Sequence, residues 1–260
     1  MNYLFFEHYA KDSYFNMAFD EWMLQKSTEY ESCFFLRLYS WSPGGITIGV
    51  NQNEQKAVDF GNLDTTPVIR RITGGRAIFH DESELTYSLV VKNNQILDPT
   101  HLNFLNANIT KALMLFLKEI GIDSEFVKKS SRSNAVKEFF HKAPCFDSFA
   151  KYEIISNQKK IIASAQRKFG NVIIQHGSIK INGIVKHPAI DATANNSIDC
   201  QQVTGDDFRI AVGKIQKAFE RQFSFCFHSQ IMRPEFVNEV SEIEKKIRIN
   251  SFLKRKIIKQ

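Results

Sequence analysis

The 260-residue chain lacks most of the short motifs that announce a chemistry. It has no G-x-x-x-x-G-K-[ST] phosphate loop, no H-E-x-x-H zinc helix and no G-x-S-x-G nucleophile elbow. Gly44-Gly-Ile-Thr-Ile-Gly49 fails the G-x-G-x-x-G dinucleotide pattern. There are only four cysteines, Cys33, Cys145, Cys200 and Cys226. They are far apart and form no C-x-x-C, which excludes a disulfide scaffold and a Cys/His ladder of metal-ligand spacing, so no metal is expected. No apolar run approaches the ~18 residues of a membrane span. The start, Met1-Asn-Tyr-Leu-Phe-Phe-Glu-His8, lacks the basic and apolar regions of a leader. Internal repeats and low-complexity linkers are also missing. These absences predict a reduced, cytoplasmic, soluble protein that does not engage a membrane.

What is present is globular composition. The chain is 43% hydrophobic and 12% aromatic, with 23 Phe, unlike a disordered chain. Its length fits one large domain or two small ones, with a sizeable core. The formal net charge is +6. A mild basic excess suits an acidic partner surface or nucleic acid, and equally a plain lysine-rich solvated surface.

Strand and helix patterns alternate irregularly. Asp12 or Ser13 caps a first helix with Phe15, Ala18, Phe19 and Trp22 on one face. Cys33–Tyr39 reads as a buried strand interrupted by Arg37, followed by a Ser42-Pro-Gly-Gly45 turn and a short strand at Ile46–Val50. Pro67–Thr73 and Ala77–His80 read as strands. Leu85, Tyr87, Leu89 and Val91 alternate with period two. Leu102, Leu105, Ile109, Ala112 and Phe116 have helical spacing up to a stop at Gly121. Lys128–Lys142 is polar and basic and reads as a loop before Cys145. One late helix starts at Asp206 or Asp207 and carries Phe208, Ala211, Val212, Ile215 and Phe219. Another opens at Pro234 and carries Phe236, Val240 and Ile243, before a basic tail. The pattern predicts a single α+β domain with a mixed sheet, not a regular βαβ repeat.

Four stretches can carry chemistry. In Arg70-Arg-Ile-Thr-Gly-Gly-Arg-Ala-Ile-Phe-His-Asp81, Gly74 and Gly75 allow positive φ and close backbone approach. Their missing side chains leave a slot for an alkyl chain. Arg70, Arg71 and Arg76 surround it with positive charge, and His80-Asp81 orders the loop. The alternative is a hairpin turn with solvated arginines. Cys145 follows Pro144 and a basic stretch with Lys137, His141 and Lys142, and precedes Asp147 and Glu153. A nearby ammonium lowers a thiol pKa and raises its reactive thiolate fraction; the alternative is an inert buried cysteine. In Lys159-Lys-Ile-Ile-Ala-Ser-Ala-Gln-Arg167, alternation groups Lys160 with Ile162 and Ser164 on the ligand face, and Ala163, Ser164 and Ala165 leave room. Gln175-His-Gly-Ser178 reads as a polar turn after a strand; His176 is a candidate general base or a structural histidine.

Together these stretches resemble the lipoate–protein ligase and octanoyltransferase family, which shares its catalytic fold with biotin protein ligases. Asn16-Met-Ala-Phe-Asp-Glu21, Ile48-Gly-Val-Asn-Gln-Asn53, the Gly-Gly loop and Glu84-Leu-Thr-Tyr-Ser88 carry the match. So do Cys145-Phe, Tyr152-Glu153, Lys159-Lys160-Ile, Ser164-Ala-Gln-Arg167 and Gln175-His-Gly-Ser178. The resemblance spans most of residues 12–180 and is closest to the cysteine-dependent octanoyltransferases. The chain departs from it at Ala163, where the family usually has Gly, and at Ser148-Phe149-Ala150, where Pro-Ser is common.

The resemblance implies a largely antiparallel mixed sheet flanked by helices, like that of class II aminoacyl-tRNA synthetases and biotin synthetases. It implies one catalytic domain over residues 1–260 with no separate C-terminal accessory domain. It further implies transfer of octanoate from acyl carrier protein through a Cys145 thioester to a lysine of a lipoyl domain or glycine-cleavage H protein. No ATP or other cofactor enters. Lys160 would activate Cys145 and polarise the acyl carbonyl. Arg71, Gly74, Gly75, Arg76, His80, Ser164, Ala165, His176 and Gly177 would form the substrate site. An ATP-dependent lipoate ligase and an amidotransferase between lipoyl domains are related alternatives. A basic module binding nucleic acid leaves the Gly-Gly loop and the Cys145–Ser178 stretch unexplained.

Overall fold

A computed structural model describes residues 1–126, 154–157, 159–179, 187–190 and 205–258. An eight-stranded sheet forms its centre. The strands are β1 (Asn2–Lys11), β2 (Cys33–Trp41), β6 (Leu85–Lys92), β7 (Glu125–Phe126), β8 (Ile154–Ser156), β9 (Lys159–Phe169), β10 (Val172–Ile179) and β11 (His228–Ser229). Their spatial order is β11-β1-β2-β6-β10-β9-β8-β7. β1 runs parallel to β2 and β11, and the other neighbours are antiparallel. A three-stranded sheet of β3 (Gly45–Ile48), β4 (Val68–Arg70) and β5 (Ile78–His80) lies in the order β4-β3-β5. The expected α+β class with a mixed, largely antiparallel sheet is what is found.

Side-chain alternation along the strands divides the core into two layers. Phe34, Leu36 and Leu38 of β2, with Leu85, Tyr87, Leu89 and Val91 of β6, face one layer. There they meet Ile109, Leu113 and Phe116 of α3 (Pro99–Glu119) and Val212, Ile215 and Phe219 of α4 (Gly205–Phe223). Phe35, Val90 and Ile174 face the other layer. It holds Ala18, Phe19 and Trp22 of α1 (Ser13–Lys26) and Val240 and Ile243 of α5 (Pro234–Ile258). A single helical turn, α2 (Glu54–Ala57), precedes β4.

The helix boundaries follow local chemistry. Asp12 caps α1 by accepting from the Phe15 N–H. α3 begins at Pro99 behind an Asp98 cap and ends where Gly121 takes φ +80°, with the Ile122 N–H turned back to the Leu117 carbonyl.

Gln175–Ser178 departs from the expected turn. All four residues lie inside β10, paired with β6 on one side and β9 on the other. Their polarity marks a polar inner layer of the sheet, not an exposed bend. The turn is at Gly170 and Asn171, the two residues between β9 and β10, with Gly170 at φ +57°. β1 is a strand that the pattern of residues 2–11 did not announce.

Candidate active site

A cavity lies between the inner sheet face, α1 and the small sheet. Its walls are mostly apolar. Met17 comes from α1, Tyr39 and Trp41 from β2, Ile78 from β5, and Ala163 and Ala165 from β9. The polar groups on the wall are Thr47, Arg71, His80, Thr86, Ser164, His176 and Ser178. An apolar hollow with a few placed polar groups is the ordinary form of a small-molecule site.

The Gly-Gly loop forms one side. Arg71 is buried and donates to backbone oxygens. Its Nη1 reaches the Thr47 carbonyl at 3.1 Å, its Nη2 the Gly74 carbonyl at 2.6 Å and the Arg76 carbonyl at 2.8 Å. Arg70 donates to the Gly49, Val50 and Gln52 carbonyls and pairs with Glu54. These two arginines therefore shape the loop instead of presenting bare charge to the slot. Gly75 has φ +87°, and a Cβ there would sit 2.6 Å from Arg71 Nη2. A Cβ on Gly49 would meet the Gly75 carbonyl at 2.1 Å, so the two glycines make one close backbone crossing. At Gly74 the space a Cβ would occupy is open. Gly74, Gly75 and Arg76 border the cavity without lining it.

His80 stacks on Trp41 with ring centroids 4.0 Å apart. Its Nδ1 donates to Glu84 Oε1 at 2.8 Å and its Nε2 meets Thr47 Oγ1 at 2.8 Å. The carboxylate that orders His80 is thus Glu84, across the turn between β5 and β6; the neighbouring Asp81 holds Ser83 instead. Thr86 donates to the same Glu84 oxygen and accepts from the Trp41 indole N–H.

A second buried network runs under α1. Arg37, fully buried on β2, donates to Asp20 Oδ1 at 3.1 Å, to Asn16 Oδ1 at 2.6 Å and to His8 Nδ1 at 3.2 Å. Burial pulls its guanidinium down while Asp20 holds it up. Burial, with the Arg37 charge behind it, pushes the His8 imidazole down to about 2, so His8 stays a neutral acceptor. The Tyr39 hydroxyl and His176 Nδ1 both donate to Asp20 Oδ2, at 3.2 and 3.1 Å. Burial, then Asp20, raises the Tyr39 phenol. His176 Nε2 meets Thr73 Oγ1 at 2.5 Å, which joins β10 to the Gly-Gly loop.

Lys160 reaches the cavity face by a route that alternation misses. Ile154 pairs with Ile162, but Ile155 pairs with Lys160, so Ile161 is the extra residue of a bulge. Ile161 and Ile162 both join the α3/α4 core. Lys160, opposite Ile155, falls on the other face with Ala163 and Ala165, and it is fully buried. It does not line the cavity. The expected grouping of Lys160 with Ile162 and Ser164 is corrected by this bulge. Ser164 turns its hydroxyl to the far face, 2.7 Å from Tyr87 Oη. Gln175 donates to Tyr87 there, and burial pushes the phenol up to about 12. Gly177 is empty because the Tyr87 ring fills its place; a Cβ would meet it at 2.4 Å.

Of the sequence-predicted residues, Arg71, His80, Ser164, Ala165, His176 and Gly177 meet on one cavity wall. Ala163, the departure from Gly, is on it too and brings its methyl. Cys145, the basic stretch 128–142, Asp147, Ser148–Ala150 and Glu153 lie outside the described residues. Asp20, Glu84, Thr73 and Ser178 are site residues that the sequence patterns do not mark; the one available signal is Arg37, since an arginine inside a buried strand needs a carboxylate. Among the described residues no cluster of His, Cys, Asp and Glu could hold a metal ion. No helix there is long and apolar enough to cross a membrane.

A helix-flanked mixed sheet thus carries a largely apolar slot beside an arginine-clamped Gly-Gly loop, the frame of a small-molecule catalytic domain. The chain belongs to the lipoyl protein ligase A/B catalytic domain family, whose model matches residues 12–232. Among curated relatives, octanoyltransferase LipM of Staphylococcus aureus is 29% identical, over 95% of this chain and 96% of its own. Octanoyltransferase LipM of Carboxydothermus hydrogenoformans is 30% identical, over 94% and 93%. Among solved structures, a lipoate protein ligase from T. acidophilum with bound lipoic acid superposes with a TM-score of 0.70 at 18% identity, covering 94% of each chain. Lipoate-protein ligase A bound with ATP does so with the same score, identity and coverage. By family and relatives the chain is an acyltransferase.

Proposed function

We propose that this enzyme transfers an octanoyl group from acyl carrier protein to the acceptor lysine of a lipoyl domain or glycine-cleavage H protein, through a thioester on Cys145. The observation that carries the reading is the buried, largely apolar cavity with Lys160 on its sheet face, in a chain whose full-length relatives are octanoyltransferases. Apolar walls suit an alkyl chain, and among the described residues Lys160 is a fully buried cation on that sheet face.

The chemistry balances without a cofactor. The Cys145 thiolate attacks the carbonyl carbon of the octanoyl thioester; the carrier's sulfur leaves as a thiolate and takes up a proton. The acceptor amine then attacks the Cys145 thioester. The amine loses a proton as the amide forms, and the Cys145 thiolate is regenerated. One thioester is exchanged for another and then for a more stable amide, so the sequence runs downhill. Lys160 favours the thiolate by charge and polarises the carbonyl. The protein works in the cytoplasm, and its +6 charge draws in acidic carrier and acceptor domains.

The test is intact mass after incubation with octanoyl carrier protein. The parent is expected to gain one octanoyl group that neutral hydroxylamine removes, and Cys145→Ser is expected to gain none that hydroxylamine removes. A hydroxylamine-labile adduct that survives in Cys145→Ser overturns the thioester. Modification of an acceptor domain by free lipoate and ATP alone would place the chain with the ligases instead.

A further inference from the structure

Among the described residues, every polar side chain on the cavity wall is committed to another protein group, with one exception. His80, Thr47, Thr86 and Glu84 bond one another. His176 is held at both ring nitrogens. Ser164 is turned away to Tyr87. Ser178 lines the cavity, is only 3% exposed, and its Oγ has no hydrogen-bond partner among the described residues. Two other serine hydroxyls, Ser13 and Ser88, are also buried without partners, but neither lines the cavity.

Ser178 lies on β10 opposite Ala163 of β9 and Thr86 of β6. It therefore shares the sheet face of Ala163, Ala165 and Lys160, toward the Lys160 end of the hairpin. A buried hydroxyl without a partner is unfavourable unless a ligand supplies one. An octanoyl group offers one hydrogen-bonding oxygen, the carbonyl; its chain has no donor and no acceptor.

From this we infer that the Ser178 hydroxyl is the cavity's hydrogen-bond donor to the carbonyl oxygen of the bound octanoyl group. The inference rests on the octanoyl-transfer reading above. When the acyl group enters, O–H···O=C fixes the carbonyl against β10. As the nucleophile attacks, negative charge grows on that oxygen and the bond strengthens. Such a donor acts more on the transition state than on the bound ground state. Ser178 thus positions and polarises the carbonyl beside Lys160, while the apolar wall of Met17, Trp41 and Ile78 takes the chain.

The experiment compares Ser178→Ala and Ser178→Thr with the parent in steady-state transfer from octanoyl carrier protein to a lipoyl domain. Melting midpoints are measured on all three. For Ser178→Ala we expect kcat to fall on the order of a hundredfold with little change in KM. Its melting midpoint should equal or exceed the parent's, because no protein partner is lost. Ser178→Thr keeps the hydroxyl and should recover most of kcat. A second measurement uses the octyl thioether of the carrier, in which a methylene replaces the carbonyl; it should bind the parent and Ser178→Ala equally. An unchanged kcat in Ser178→Ala overturns the inference. So does a lowered midpoint, which would make the hydroxyl part of the fold, or a loss of thioether binding in the variant. If the parent transfers no octanoyl group, the functional reading itself fails and this inference falls with it.

Discussion

At the scale of single residues, the site depends on side chains that are missing as much as on those present. Gly177 leaves a space that the Tyr87 ring occupies from the opposite face of the sheet, with Ser164 Oγ 2.8 Å from where a Cβ would stand. The Tyr87 ring is fully buried and both neighbours are hydrogen-bonded, so neither yields cheaply. Gly177→Ala is expected to destabilise the protein by roughly 1–3 kcal/mol, through overpacking. It should also lower transfer activity at temperatures where the variant is fully folded, because β9 and β10 are pushed apart at the cavity wall. Chemical denaturation and initial rates measured side by side check both effects. Residue identity was a good guide at Gly75, where two glycines in a row signalled a positive φ and a close approach. It was a poor guide at Ser178, because nothing in a sequence shows that a hydroxyl has been left without a partner. Arg70 and Arg71 show the same gap: positive charge was legible, but its use on backbone carbonyls depends on where the chain folds back.

At the scale of elements, α1, β2 and β10 meet through Arg37, Asp20 and His176. Arg37 is fully buried and Asp20 is 1% exposed, so neither charge has water to fall back on. Arg37→Met is expected to cost about 3–5 kcal/mol, since it leaves the Asp20 carboxylate buried without its cation. Arg37→Met with Asp20→Asn should recover part of that loss. Denaturant midpoints of the single and double variants decide it. Helices were largely legible: the Asp12 cap, the Gly121 stop and the apolar faces of α3 and α4 all stand where local chemistry put them. Strands were less so. Gln175–Ser178 is polar and small, and such residues read as a turn until β6 and β9 are seen to pair with them on both sides. The Ile161 bulge is a pairing event between β8 and β9, and a pattern read along one strand counts straight through it. Both failures have one cause, namely that register belongs to pairs of strands.

At the scale of the whole molecule, the polar layer between α1 and the sheet sets a limit on acid stability. His8 is buried against Arg37 and its imidazole is pushed down to about 2. In the unfolded chain it titrates at its ordinary value near 6.5. Below that pH the unfolded state binds a proton that the folded state refuses, so stability falls progressively from about pH 6.5 downward. At pH 5 the loss from this one group approaches about 2 kcal/mol. His8→Gln, which keeps an acceptor for Arg37 but does not titrate, should show a smaller fall in unfolding free energy between pH 7 and 5. Equal slopes would assign the acid sensitivity to other groups. The Arg71 clamp has a consequence of a different kind. The loop's carbonyls are already tied to the guanidinium, and His176 already ties Thr73 to the main sheet, before any ligand arrives. That side of the cavity therefore surrenders little conformational entropy when an acyl chain binds, and the free energy of contact appears as affinity instead of being consumed in ordering the loop.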